Sequence, residues 1–152
     1  ESFLGFKNMV YGAMGENLCV DGLDESCVYV GDIHKVGSLV LQVSQPRKPC
    51  FKLSKRWGNE NMATHIFETG LTGWYYRVIT PGSCKAGDMI EVIEKDPVHM
   101  SILEINRLFY APSENLNLLE KFNALTTLTN GWHDDMKRRI EGIYSTEFMR
   151  TL

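Results

Sequence analysis

A mainly β domain carrying a small C-terminal group of three helices is the fold class this sequence predicts, on three observations. From Leu18 to Lys95 the chain is dominated by short β-branched and aromatic runs broken by Gly-Asp turns. At Pro97 the apolar spacing changes from that of strands to that of helices. Beyond it, apolar residues recur three and four apart, interrupted at Ala111-Pro112-Ser113 and again at Asn130-Gly131. The expected organisation is a β domain over residues 1–96, a three-helix appendage over 97–144 and a frayed tail over 145–152. Short strands with tight turns point to a barrel or a compact, strongly bent sheet.

Val28-Tyr29-Val30-Gly31-Asp32-Ile33 is the first predicted strand and carries the first Gly-Asp turn. Ser38 to Ser44 alternates over much of its length and is the second. It runs directly into Gln45-Pro46-Arg47-Lys48-Pro49-Cys50-Phe51-Lys52-Leu53. Each proline there fixes its own φ and drives the preceding residue out of the helical region, so the segment is stiff. Pro49 suits the first turn of a helix running through Phe51 to Trp57. Arg56 to Glu68 reads as further short helical structure, with Met62, Ile66 and Phe67 apolar. Trp74 to Ile79 is a strong strand ended by Pro81-Gly82, and Gly87 to Ile93 is the last. The three helices follow as His99–Tyr110, Asn115–Leu128 and Trp132–Tyr144, with Asn130-Gly131 as the glycine stop of the second. Asp134 and Asp135 near the start of the third, with Lys137, Arg138 and Arg139 towards its middle, suit the helix macrodipole.

A chain of 152 residues can bury a real core. Its 43% apolar and 23% charged residues are ordinary for a soluble globular protein. A net charge of -3 argues against general nucleic-acid binding. No apolar run approaches the roughly 18–20 residues that span a bilayer, so no membrane segment is expected. Cys19, Cys27, Cys50 and Cys84 form no Cys-x-x-Cys pair and follow no secretory signal, which points to reduced thiols in a cytoplasmic protein. His34, His65, His99 and His133 are scattered and none stands at ligand spacing from a cysteine, which argues against zinc. Opening on Glu1 and the apolar Phe3-Leu4-Gly5-Phe6, the chain reads as a piece of a longer protein.

Cys50 is the candidate centre. It stands at a predicted helix start beside Arg47, Lys48, Lys52 and Lys55, and both the helix end and the cations favour thiolate over thiol. A thiolate serves as nucleophile, sulfur carrier or soft-metal ligand. The packing alternative is that Cys50, Leu53, Ser54 and Trp57 share one helix face and the cysteine is filler. Cys19, Cys27 and Cys84 lack comparable cationic neighbours and read as packing. His65 lies on a short amphipathic helix without an orienting acid, so a structural role is expected rather than a base for Cys50.

Taken in order, Gly15-Glu16-Asn17-Leu18, Val30-Gly31-Asp32-Ile33, the Pro46–Leu53 segment, Gly73-Trp74-Tyr75-Tyr76-Arg77-Val78 and Ala86-Gly87-Asp88 resemble the MOSC domain family, named for the C-terminal domain of molybdenum-cofactor sulfurases. The likeness runs from about Gly12 to Tyr144 and is greatest to the bacterial subgroup linked to detoxifying 6-N-hydroxylaminopurine, which carries a three-helix extension. The resemblance implies a MOSC β-barrel, here lacking its N-terminal part. It implies a molybdenum-pyranopterin cofactor whose metal is ligated by Cys50, and two-electron reduction of N-hydroxylated bases or amines. Arg47, Lys48, Lys52 and Arg77 are then the candidates for the cofactor's phosphate or nucleotide tail. A solvated helix face is the alternative for Lys48, Lys52 and Lys55, and stacking or an internal ion pair for Arg77. Asn17 would position substrate or pterin and Glu16 would transfer a proton, against the alternative of a plain turn. The family's upstream His-Gly-Gly segment has no counterpart, so the implied pocket is incomplete in this chain.

The partners implied are a small N-hydroxylated substrate and an electron-donating reductase, with a homodimer as the assembly to test and no nucleic acid or membrane. Two readings from other classes compete. One makes Cys50 a persulfide carrier delivering sulfur to a metal centre; the other makes the chain a non-enzymatic partner-binding module.

Overall fold

The computed structural model describes residues 10–147. Strands β1 (Ile33–Val36), β2 (Leu39–Pro46), β3 (Trp74–Thr80) and β4 (Ile90–Glu94) form one antiparallel sheet in the order β3-β2-β1-β4. The two-residue turn Gly37-Ser38 joins β1 to β2, with Gly37 at a φ of 57° that a side chain would resist. Register puts His34, Leu41, Val78 and Val92 on one face. That face is sealed at its centre, where His34 and Leu41 are buried, and open at its edges, where Val78 is 56% and Val92 44% exposed.

Among the described residues five α-helices accompany the sheet: α1 (Phe51–Trp57), α2 (Met62–Thr69), α3 (Ile102–Tyr110), α4 (Leu119–Asn123) and α5 (Asn130–Ile140). The mainly β, closed-barrel expectation is corrected on both counts. More of the described residues are helical than extended, and among those residues β3 and β4 are the edges of the sheet rather than partners across a seam. One reason is that Val28 to Asp32 is not a ladder strand. Gly31 adopts a φ of 95°, Val30 N–H donates to Met100 C=O (3.0 Å), and only Tyr29 makes a bridge, to Ser101.

The helix boundaries also moved, each for a local reason. Pro49 lies before the cap of α1, not in its first turn, because Cys50 itself is the N-cap with extended backbone (φ −142°, ψ 158°). Helix α3 begins at Ile102, since His99 has a left-handed φ of 53° and Ser101 supplies a complete capping box with Glu104. The predicted Asn115–Leu128 helix is only α4, preceded by two short 3-10 turns. Leu125 and Leu128 are nonetheless buried, so their spacing reflects a core-facing loop. Asn130-Gly131 does not stop a helix but starts α5, because Thr129 is its extended N-cap and Gly131 takes helical backbone.

Val28, Val30 and Val43 from the strand region pack in one buried cluster with Ile102, Ile105, Leu108, Phe122 and Trp132. Each such side chain contributes about 1.5–3 kcal/mol on burial. A second, smaller cluster joins Leu53 of α1 to Met62 and Ile66 of α2, with Met14 and Trp57 packed against it. No helix among the described residues is long and apolar enough to cross a membrane. The apolar opening Phe3–Phe6 and the end of the tail lie outside the described residues.

Candidate functional site

Cys50 sits at the end of the four-residue link between β2 and α1, and the link is tied down at both ends. Pro46 closes β2 opposite Trp74, and Arg47 N–H donates to Gly73 C=O at 3.0 Å. The Arg47 guanidinium crosses to the N-terminal loop, where Nη1 donates to Met14 C=O at 2.6 Å. At the far end, the Cys50 sulfur accepts the Lys52 N–H at 3.4 Å, in the place a serine or aspartate side chain usually takes at a helix start. Cys50 is half-buried while its helix partner Leu53 is buried. The sulfur is therefore presented at the helix start, and Leu53 rather than Cys50 fills the core face.

The Glu16 side chain organises the loop that Arg47 reaches. Its Oε1 accepts Gly12 N–H (2.6 Å) and Oε2 accepts Met14 N–H (2.9 Å). Burial pushes this carboxyl up. The N–H groups of Glu16, Gly12 and Met14 and the charge of Arg47 outweigh that and hold it below the usual carboxylate range. A carboxylate so engaged anchors the loop. Trp57 of α1 donates from Nε1 to Ala13 C=O at 3.1 Å, so α1 and this loop brace one another. The structure thus brings Glu16, Arg47 and the helix of Cys50 together, although they are separated in sequence.

The other predicted residues are placed differently. Asn17 and Lys52 are exposed, as is Lys55. Arg77 is exposed on β3 and donates across the strand pair to Gln42 Oε1 at 2.7 Å. Lys48 is neither a solvated helix cation nor open towards an anion: its ammonium is ion-paired with Asp135 and faces Trp132 at 4.4 Å from the ring centroid. The packing role for Cys19 and Cys27 is corrected, since both are exposed; the Cys27 sulfur accepts the Asp24 N–H (3.2 Å) within a tight turn. Cys84 is half-buried.

Sequence reasoning also missed a buried polar pair within the sheet. His34 on β1 is 1% exposed, and its Nδ1 lies 2.8 Å from the Tyr76 hydroxyl on β3. Burial holds the imidazole below its ordinary value, with Asp32 pulling the other way, and burial raises the Tyr76 phenol. A histidine on the same strand face as Val36 carries no sequence signal of such a partner. Among the described residues no three His, Cys, Asp or Glu side chains cluster as a metal site.

A family model for the MOSC domain matches residues 1–91. This chain belongs to the MOSC domain family. Its relatives include the YiiM protein of Escherichia coli (strain K12), 46% identical over 131 residues, and the YflK protein of Bacillus subtilis (strain 168), 33% identical over 147 residues. This MOSC chain spans 58% and 66% of those two proteins, respectively. A protein of Gibberella moniliformis named as a reductase is 35% identical over 136 residues, of which the chain spans 24%. Crystal structures of YiiM from Geobacillus stearothermophilus (TM-score 0.81, 31% identity, 88% of this chain and 69% of that one) and from E. coli (0.80, 34%, 93% and 70%) share its fold.

Proposed function

We propose that this MOSC domain is the cysteine-bearing part of a molybdenum-cofactor-dependent reductase of N-hydroxylated bases or amines. The observation that carries this reading is the presentation of one half-exposed sulfur, Cys50, at a helix start on a link tied down at both ends. A pyranopterin cofactor brings most of the metal's ligands itself and asks one soft donor of the protein, and a single cysteine sulfur fits that requirement. Cys50 would hold the metal, and Arg47 and the exposed Lys52, three residues before the cysteine and two after it, would be the cations to attract an anionic tail. The cavity beside Arg47, Lys48, Pro49 and Trp132 is only about 10 Å³, room for a single water and too small for the cofactor.

The cofactor supplies the two-electron redox chemistry when bound. The reaction balances as an N-hydroxylated amine plus two electrons and two protons giving the amine and water, with the N–O bond broken. The electrons come from a separate electron-donating reductase, and the setting is the cytoplasm. The name carried by the Gibberella relative agrees with this class of chemistry. The chain's own contribution is to hold the sulfur, fix the Arg47 guanidinium and keep the Glu16 loop in place.

The test is conversion of 6-N-hydroxylaminopurine to adenine by the cofactor-loaded, full-length protein with a reduced viologen as donor. Turnover that disappears in Cys50→Ser supports the reading. Equal turnover in both proteins would remove Cys50 from the chemistry. A cyanide-releasable sulfur on Cys50 without turnover would favour the persulfide carrier instead.

A further inference from the structure

We propose that Lys48 is a positioning residue for Cys50, and that helix α5 sets the geometry of the cysteine link through it. The Lys48 Nζ lies 4.4 Å from the Trp132 ring centroid, 5.5 Å from Phe109 and 5.8 Å from Tyr144, and the Asp135 carboxylate completes the enclosure. Phe109 belongs to α3, Trp132 and Asp135 to α5, and Tyr144 to the segment after α5. The C-terminal third of the chain therefore grips one side chain of the β2–α1 link. The side chains of Lys48 and Asp135 are 26% and 25% exposed, so the pair is shielded enough for ion pairing and ring attraction to exceed those of a surface bridge.

The covalent path from that grip to the sulfur is short and stiff. Only Pro49 separates Lys48 from Cys50; it is buried and its ring fixes φ. Upstream, Arg47 is anchored to Gly73 and Met14. Released at Lys48, the link would keep its upstream anchors and the contact of the sulfur with Lys52 N–H, and would lose its tether to the C-terminal helices. Asp135 also lies 3.9 Å from Arg138, an exposed neighbour that does not replace the lysine inside the rings. Lys48 thus acts on the site through Cys50 rather than by meeting a ligand.

This inference rests on Cys50 being the working cysteine, and its test uses no cofactor, so the two readings can fail separately. Hydrogen exchange at the Lys52 and Leu53 amides, which Cys50 accepts through its sulfur and carbonyl, reports the start of α1. The rate of Cys50 alkylation by iodoacetamide, taken as a ratio to Cys84 in the same molecules, reports the sulfur. Lys48→Met and Asp135→Asn are expected to speed exchange at those two amides by roughly tenfold and to shift the alkylation ratio. Lys48→Arg keeps a cation for Asp135 and the rings but in a longer, planar group, and is expected to move both readouts less than Lys48→Met does. Unchanged exchange and an unchanged ratio in Lys48→Met, with faster exchange confined to α5, would overturn the proposal and leave Lys48 a staple for α5 alone. Should Lys48→Met not fold, the same two readouts in Asp135→Asn decide it.

Discussion

The Glu16 carboxylate shows how one side chain can organise a whole loop. It accepts two backbone N–H groups of its own loop and stands beside Arg47, whose guanidinium reaches the same loop. Because its pKa is held below the ordinary 4.5, its stabilisation is complete above that value and is lost as pH falls through the folded-state value. Glu16→Gln should therefore lower stability at pH 7 by about 1 kcal/mol and flatten the acid limb of the stability curve, as urea titrations at pH 7 and pH 4 would show. A steeper acid limb in the variant would contradict this. Cys50 at a helix start was legible in the sequence because its signals are local: a proline before it and helical spacing after it. The enclosure of Lys48 was not. Its partners come from up to 96 residues away in sequence, and Asp135 already had a sufficient explanation in the helix macrodipole.

Among the elements, β1 and β3 meet through a titratable pair although β2 lies between them in the sheet. His34 is buried and its imidazole is depressed from 6.5, so the unfolded chain binds the extra proton more readily. The stability this gives is fully present above 6.5 and falls as pH drops through the window below it. Chemical denaturation at pH 7.5 and 5.5 should show that loss, and His34→Gln should reduce it; an unchanged pH dependence in the variant would assign the loss elsewhere. Helix α3 depends on its capping box. Ser101 Oγ accepts Glu104 N–H at 3.1 Å, and Glu104 is further tied to Lys121 at 2.8 Å. Ser101→Ala should cost about 1 kcal/mol in thermal or urea unfolding. A change within experimental error would mean that tertiary packing alone starts the helix. Strands β2, β3 and β4 were legible from β-branched runs and turns. Val28 to Asp32 was over-read because the pattern is strand-like while Gly31 turns the backbone, and a Cβ there would run into the Asp96 carboxylate.

At the scale of the whole molecule, the sequence signalled a change of element type at Pro97, and the structure has helices from Ile102 onward. What composition and periodicity did not disclose is that the helical part and the strand region share one buried cluster, with Val28, Val30 and Val43 against Ile102, Ile105 and Leu108. Periodicity identifies which face of an element is apolar but not which element covers it, so the helices read as an appendage. The shared core explains how α5 comes to lie against the cysteine link. The family motifs were legible as a set because each supplies one local necessity: a turn at Gly31, an anchor at Arg47, a cap at Cys50. The sheet's open edges at Val78 and Val92 had no sequence signal, since both residues are ordinary strand valines.

The central claim is that Cys50 ligates the metal of a molybdenum cofactor, and elemental analysis tests it most directly. Molybdenum would be measured in the full-length protein and its Cys50→Ser variant, both purified from a cofactor-producing host. The account predicts near-stoichiometric molybdenum that falls sharply in the variant. No molybdenum in either protein, or an equal amount in both, would contradict it.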